Sequence, residues 1–439
     1  MRFIQTIKNI WKIEDLRRRI GFTMLIILIY RFGCAVMLPG VTAGAIKAMQ
    51  AFTAKTGLMQ LLDMFAGGAF SQASIFALGI MPYITASIVI QLMGMVVPQF
   101  QKMQREGESG RMKLNQYTRY LTVIILLIQG PAYLINLQHQ AGNALTFSGW
   151  QIIFLTLVLT AGAMFIMWLG EKITDKGIGN GISMIILVGI IARLPEAISG
   201  EFVARLTSAG GGLVMFLIEI VVLFGVTAGA VMLTQGTRKV PVQYAKRIVG
   251  NRQYGGARQY IPLKVNAANV MPIIFAQALM FIPMTIAGFS TGEGGGFWSA
   301  FMDFNSFWYN LVYFLMIVAF TYFYTAITVR PTQMAEDMKK NSGFIPGVKP
   351  GKKTADYLDS IMSRITFPGS LFLGLVAIMP AFARNFLGAN TQFAQFFGGT
   401  SLLIMVGVVL DTLQQVETHL MMHHYDGLMK SGKVKGRVG

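Results

Sequence analysis

A chain of 439 residues that is 54% hydrophobic and 13% charged, with mean hydropathy +0.55, is a polytopic membrane protein rather than a soluble enzyme. Globular chains carry about 25% charged residues. The single cysteine, Cys34, excludes an internal disulfide and a cysteine metal cage. A net charge of +18 either sets topology alone or also binds something acidic.

Residues 1–20 set Phe3, Ile7, Ile10, Trp11 and Ile13 among Lys8, Lys12, Arg17, Arg18 and Arg19. That pattern predicts an amphipathic helix on the membrane surface, its basic side on anionic lipid headgroups. The run from Gly21 to Pro39 imitates a signal peptide, but it is long enough to span and lacks a clean cleavage site. It reads as a retained first helix. Nine further spans are expected, giving ten: 21–39, 74–97, 119–138, 150–169, 180–198, 211–234, 268–290, 307–330, 366–386 and 400–424.

Lysine and arginine counts orient them. With the N-terminus in the cytoplasm, 31 basic residues fall on that side and 5 on the other, with Arg31 inside the first span. Such a bias fixes both termini inside. Ten spans divide into a first half, 21–198, and a second half, 199–424, with a basic tail at 425–439. Five spans per half invert the second relative to the first, and inverted halves meet at a central pathway. The expected fold class is therefore an all-α polytopic membrane protein, ten transmembrane helices in two pseudo-twofold inverted halves of five around a central pore.

The stretch from Gly57 to Pro98 is too long for one plain span and is broken by Gly67-Gly68 and Pro82. Discontinuous segments line gated or aqueous paths; a re-entrant loop plus a Pro-kinked helix of structural role is the competing reading. Ile80 and Ile84 share a helical face, and Ser87 and Gln91 continue the polar side. Isoleucine pairs alone are ordinary membrane packing.

Two cytoplasmic loops, 235–267 and 331–365, exceed what a connector needs. The first alternates Tyr244, Arg247, Arg252, Tyr254, Arg258 and Tyr260 with a glycine-punctuated, hairpin-like pattern. It suits phosphate contact with base stacking, or an acidic protein surface; the alternative is a solvated positive-inside hairpin. Intramembrane ionisable residues are few (Arg31, Glu219, Asp411, Glu417) and show no paired partner, which argues against ion-coupled transport; Glu219 and Asp411 read as helix–helix hydrogen-bond partners rather than relays. His419, His423 and His424 read as interfacial rather than metal-binding. With no phosphate loop and no nucleophile elbow, no enzymatic activity and no cofactor are expected.

The run GGAFSQASIFALGIMPYITASIVIQL (Gly67–Leu92) resembles the SecY family of protein-conducting channels. So do EGESGRMKLNQYTRY (Glu106–Tyr120), GIGNGIS (Gly177–Ser183), YAKR (Tyr244–Arg247), IPLKVN (Ile261–Asn266), FIPGVKPG (Phe344–Gly351) and GGTSLLI (Gly398–Ile404). These motifs cover nearly the whole chain in order. The resemblance implies a plug at about 58–72, carried by Leu58, Leu62, Asp63, Met64, Phe65, Gly67 and Gly68. It implies a pore ring of Ile80, Ile84, Ile186, Ile274 and Ile404, and a lateral gate at Ser87, Gln91, Gln277 and Ile282.

It also implies docking of a ribosome or the SecA motor through Tyr244, Lys246, Arg247, Arg252, Lys264 and Lys349. Lys349 stands where the family often has arginine, which keeps the charge and loses the bidentate fork. The implied partners are SecE-like and SecG-like subunits, SecA, the ribosome, and signal peptides with their nascent chains, in the bacterial cytoplasmic membrane. The implied function is passage of unfolded polypeptide across that membrane and lateral release into it. The rivals are a secondary transporter for a small solute and a docking scaffold that transports nothing.

Overall fold

The computed structural model describes residues 13–55, 63–141, 145–207, 212–244, 247–249, 252–254, 258–267, 270–277, 279–280 and 306–430. They fall into two compact units, Met1–Ser199 with Val408–Gly439, and Gly200–Gly407. Most of the expected surface helix, plug positions Leu58 and Leu62, gate position Ile282 and docking position Lys246 lie outside the described residues.

In the first unit, α1 (Glu14–Cys34) begins with Glu14 and Asp15, acids placed where the helix dipole favours them. They pair one turn on with Arg18 and Arg19 at 2.9 and 3.2 Å. The helix runs through positions 20 and 21 without a break, so residues 14–20 belong to the first span's helix rather than to a separate surface helix. A second helix, α2 (Ala43–Lys55), which the sequence reading did not anticipate, packs against α5 (Glu108–Ala141).

The expected second span, 74–97, is only partly helical. Residues 66–80 are turns, and α3 covers Met81–Val96. Pro82 lies in the first turn of α3 and does not kink it, because a helix's first N–H groups have no partner to lose. A second proline starts α4 (Pro98–Arg105), which meets α3 at 102°.

Helices α5, α6 (Gly149–Lys176) and α7 (Gly181–Thr207) follow. Arg119 of α5 forks onto Glu171 of α6 at 2.7–2.8 Å. The GIGNGIS turn joins α6 to α7. Asn180 accepts from the amides of Ile182 and Ser183 at 3.1 and 3.3 Å, and Gly179 N–H donates to Gln415 of the last helix at 3.0 Å. A Cβ on Gly181 would stand 1.8 Å from the Gly170 carbonyl oxygen, so only glycine closes this junction.

In the second unit, α8 (Gly212–Gln235) leads into a polar lobe. There β1 (Thr237–Tyr244) pairs antiparallel with β4 (Arg258–Lys264), in the register Val240↔Ile261 and Val242↔Gln259. Between them β2 (Arg247–Val249) and β3 (Arg252–Tyr254) form the hairpin that the glycine spacing predicts. Val240 and Val242 point inward while Lys239 and Pro241 point out, the two-residue period of a half-buried strand.

After a helical stretch over 271–277 come α9 (Phe307–Thr328), α10 (Pro331–Lys340), β5 (Gly343–Phe344), α11 (Lys352–Phe382) and α12 (Gly399–Lys430). Helices α9 and α11 pack closely, Gly374 leaving room for the Phe314 ring. The expected loop 331–365 is thus largely structured: α10, β5 on the free side of β1, and the first turns of α11. Its residues Met338, Ile345, Leu358 and Met362 join Val240, Val242 and Leu263 in one apolar core.

Among the described residues seven helices are long and apolar enough to cross a membrane, or eight if α3 and α4 count as one bent span. The seven correspond to expected spans three to six and eight to ten. Helix α1, with six charged residues, is not among them, and the expected span 268–290 lies largely outside the described residues.

Candidate functional site

Residues 63–80 form an apolar, mostly non-helical segment, and irregular backbone at membrane depth must find its hydrogen bonds in protein. Helices α1 and α5 of the first unit supply some. Tyr30 and Arg31 of α1 donate to the carbonyls of Ala66 and Gly67 at 3.3 and 2.9 Å. Tyr133 of α5 donates to the Phe70 carbonyl at 2.8 Å. The chain just after α1 adds a β-bridge between Met37 and Ser74, with Leu38 N–H on the Ala73 carbonyl and Ile75 N–H on the Val36 carbonyl, both at 2.9 Å.

Asp63 caps this segment from within, its Oδ1 accepting from Ser71 N–H at 2.7 Å. Its Oδ2 pairs with the Arg193 guanidinium of α7, and Arg193 Nη2 also donates to Ser71 Oγ at 3.0 Å. Gly67 and Gly68 take φ +65° and +90°, the left-handed region that a side chain strains to enter. A Cβ on Gly68 would also press within 2.9 Å of Arg193. Asp63, Met64 and Phe65 are buried. The segment is therefore glycine-hinged, dry and held by polar contacts at its neck.

The five isoleucines divide between the units. Ile80, the N-cap of α3, is buried, and its carbonyl accepts from Ile84 N–H at 3.1 Å, so the two share a face as the spacing predicts. Ile186 is buried in α7. In the second unit Ile274 is half-buried within 271–277, and Ile404 is buried near the start of α12. Ser87 and Gln91 stack one turn apart on α3 at 3.5 Å; Gln277 is buried.

On the polar lobe Lys264 and Lys349 are exposed, and Arg247 and Arg252 belong to the β2–β3 hairpin. The Lys349 carbonyl accepts from Thr354 at 2.9 Å, which fixes its backbone and leaves the ammonium free to reach outward. Tyr244 is half-buried against the lobe's core, its ring lying over Gly343.

Glu219, without a visible partner in the sequence and read as a helix–helix hydrogen-bond partner rather than a relay, is buried in α8 and pairs with Arg205 of α7. Arg205 also holds Glu201 at 2.8 Å and the Leu387 carbonyl at 2.7 Å, and Glu201 accepts from Asn390 N–H at 2.8 Å. Sequence reasoning assigned Arg205 to a loop because it ended the span at 198. Helix α7 runs to Thr207, and its extra turns carry Glu201 and Arg205, at i, i+4, inward. That spacing was the available signal.

The fold matches solved translocation channels. A solved channel described for how the SecY plug domain stabilises its closed state superposes with TM-score 0.64, covering 92% of both chains at 19% identity. Sec61 in a canine ribosome–channel complex gives TM-score 0.61, 92% of both chains and 18% identity. The mainly helical fold of this chain is therefore that of these solved channels. The family described as SecY matches residues 74–413, and the protein translocase subunit SecY of Streptomyces scabiei is 43% identical over 438 residues, covering 96% of this chain and 98% of the relative. The chain belongs to the SecY family: it is a multi-pass membrane channel subunit for protein translocation. Nothing in these relatives supports a small-solute transporter.

Proposed function

We propose that this chain passes unfolded secretory polypeptides across the bacterial cytoplasmic membrane, termini inside, and releases transmembrane segments sideways into lipid. The observation that carries the reading is the buried, glycine-hinged segment 63–80, held by hydrogen bonds that can be given up and remade. In this reading its first part, up to about residue 72, belongs to the plug expected at about 58–72, as in the solved channel whose plug is described as stabilising the closed state and maintaining a membrane seal. Ile80, Ile84, Ile186, Ile274 and Ile404 form the constriction. An apolar ring resists water and ions by dewetting, and isoleucine offers no hydrogen bond that would hold a passing chain.

Ser87, Gln91, Gln277 and Ile282 form the lateral gate, a weakly polar seam that parts without exposing strong unsatisfied groups. The basic lobe docks the ribosome, as Sec61 does in its ribosome complex, or the SecA ATPase. SecE-like and SecG-like subunits complete the assembly. In this reading the chain is a channel subunit and not an enzyme, and energy comes from these partners.

Site-specific photocrosslinking tests the reading. With a photoreactive residue at position 84 and a stalled secretory chain in the membrane, adducts form from 84 and not from a lipid-facing control at Val221. Silence at 84 while a probe near Arg247 still captures ribosome or motor would leave docking and remove the channel.

A further inference from the structure

Arg193 has two sets of partners. Its Nη2 holds the neck of the plug, through Asp63 Oδ2 and through Ser71 Oγ at 3.0 Å, while its Nη1 reaches Glu196 at 2.9 Å on its own helix. The Asp63 side chain is 7% exposed and that of Arg193 22%, whereas Glu196 is 62% exposed. The local sequence is shaped around the guanidinium. Gly68 has no Cβ to collide with it, and Gly189, one turn earlier on α7, lets the backbone of Phe65 and Gly67 approach where a Cβ would sit at 3.1–3.3 Å.

We infer that Arg193 is an ionic latch: by clasping Asp63 and Ser71 across the Gly67-Gly68 hinge, it holds the plug neck closed until a translocating chain displaces it. The inference rests on the plug reading above and names the side chain that sets how firmly the plug is held. Two features make the latch reversible. The Ser71 and Asp63 contacts flank the hinge, so one guanidinium restrains both sides of it. When Asp63 leaves, Arg193 keeps Glu196 and is not stranded as an unpaired cation, the condition that makes breaking a buried pair prohibitive. Lysine cannot replace it, because a single ammonium lacks the planar fork that serves Asp63, Ser71 and Glu196 together.

The test is halide leak through the purified translocase complex reconstituted in lipid vesicles. Arg193→Ala and Asp63→Asn each raise leak about tenfold, the expected scale for losing a hydrogen bond to a charged group. The exchanged pair, Arg193→Asp with Asp63→Arg, recovers a tighter seal than either single charge reversal; a merely structural defect would add rather than cancel. Asp63→Asn is nearly isosteric, so it carries the test if Arg193→Ala folds poorly, as judged by yield and Tm. Deletion of residues 58–66 separates the two readings. A leaking deletion with sealed Arg193→Ala and Asp63→Asn would overturn the latch and leave the plug. A sealed deletion would overturn both.

Discussion

Arg31 Nη1 donates to the Gly67 carbonyl at 2.9 Å, tying the last turn of α1 to a glycine 36 positions later in the chain. An arginine inside a first span reads from sequence as an intramembrane charge without a paired partner. In the fold it satisfies a carbonyl that the broken segment leaves without a helical partner. Arg31→Leu removes that bond and is expected to lower stability by about 1 kcal/mol, below the usual range for charge-assisted bonds because Arg31 is exposed. Hydrogen exchange on the amides of residues 63–73 reports it directly. Faster exchange there, with α5 and α6 unchanged, is the expected pattern.

Replacing Ile84 or Ile404 with asparagine places a hydrogen-bonding group in the proposed constriction. Water is expected to enter it in the closed state. Halide leak rises several-fold and precursors with defective signal sequences are exported. Unchanged leak and unchanged signal stringency in both variants would contradict an apolar seal at these positions.

The buried cluster of Arg205, Glu201 and Glu219 makes unequal predictions for its members. Arg205→Ala leaves two carboxylates without their shared guanidinium and costs about 3–5 kcal/mol. Glu219→Gln keeps the shape and costs far less, because Glu219 Oε2 has no hydrogen-bond partner to lose. Thermal unfolding of the purified complex in detergent ranks the two.

Docking charge on the lobe is read by ribosome and motor binding. Lys264→Glu and Lys349→Glu are expected to weaken both, more at low salt than at high, since exposed charges are screened beyond a Debye length of about 8 Å at physiological ionic strength. Lys349→Arg preserves binding. Tyr244→Ala is expected instead to loosen the lobe, because its ring packs over Gly343. Cosedimentation across a salt series, with protease resistance of the lobe alongside, separates the two effects.

Gly181→Ala tests the junction between α6 and α7. A Cβ at that position meets a backbone oxygen at 1.8 Å and cannot be relieved by turning a side chain. The junction must open, at a cost of about 2 kcal/mol or more. Loss of expressed complex, with Gly149→Ala as a neutral control in open space, is the expected result.

Much of this protein is determined by its sequence alone. Hydropathy marks the seven described helices that are long and apolar enough to cross a membrane, because that property depends only on transfer of segments between water and lipid. The two-residue period of Val240 and Val242, and the glycines around 250, mark a hairpin for equally local reasons. What sequence could not decide depends on partners far along the chain. Pro82 looks like a kink until the helix is seen to start beside it. Glu219 looks solitary until α7 is seen to run on and bring Arg205 to it.

The neck of the proposed plug is the clearest case. Asp63, Ser71 and Arg193 are spread over 130 positions, and no spacing rule relates them. Only the packing of α7 against the turns after Asp63 places one guanidinium on two oxygens. A charge inside an apolar unit has so few ways to be satisfied that tertiary contact, not local preference, selects its partner.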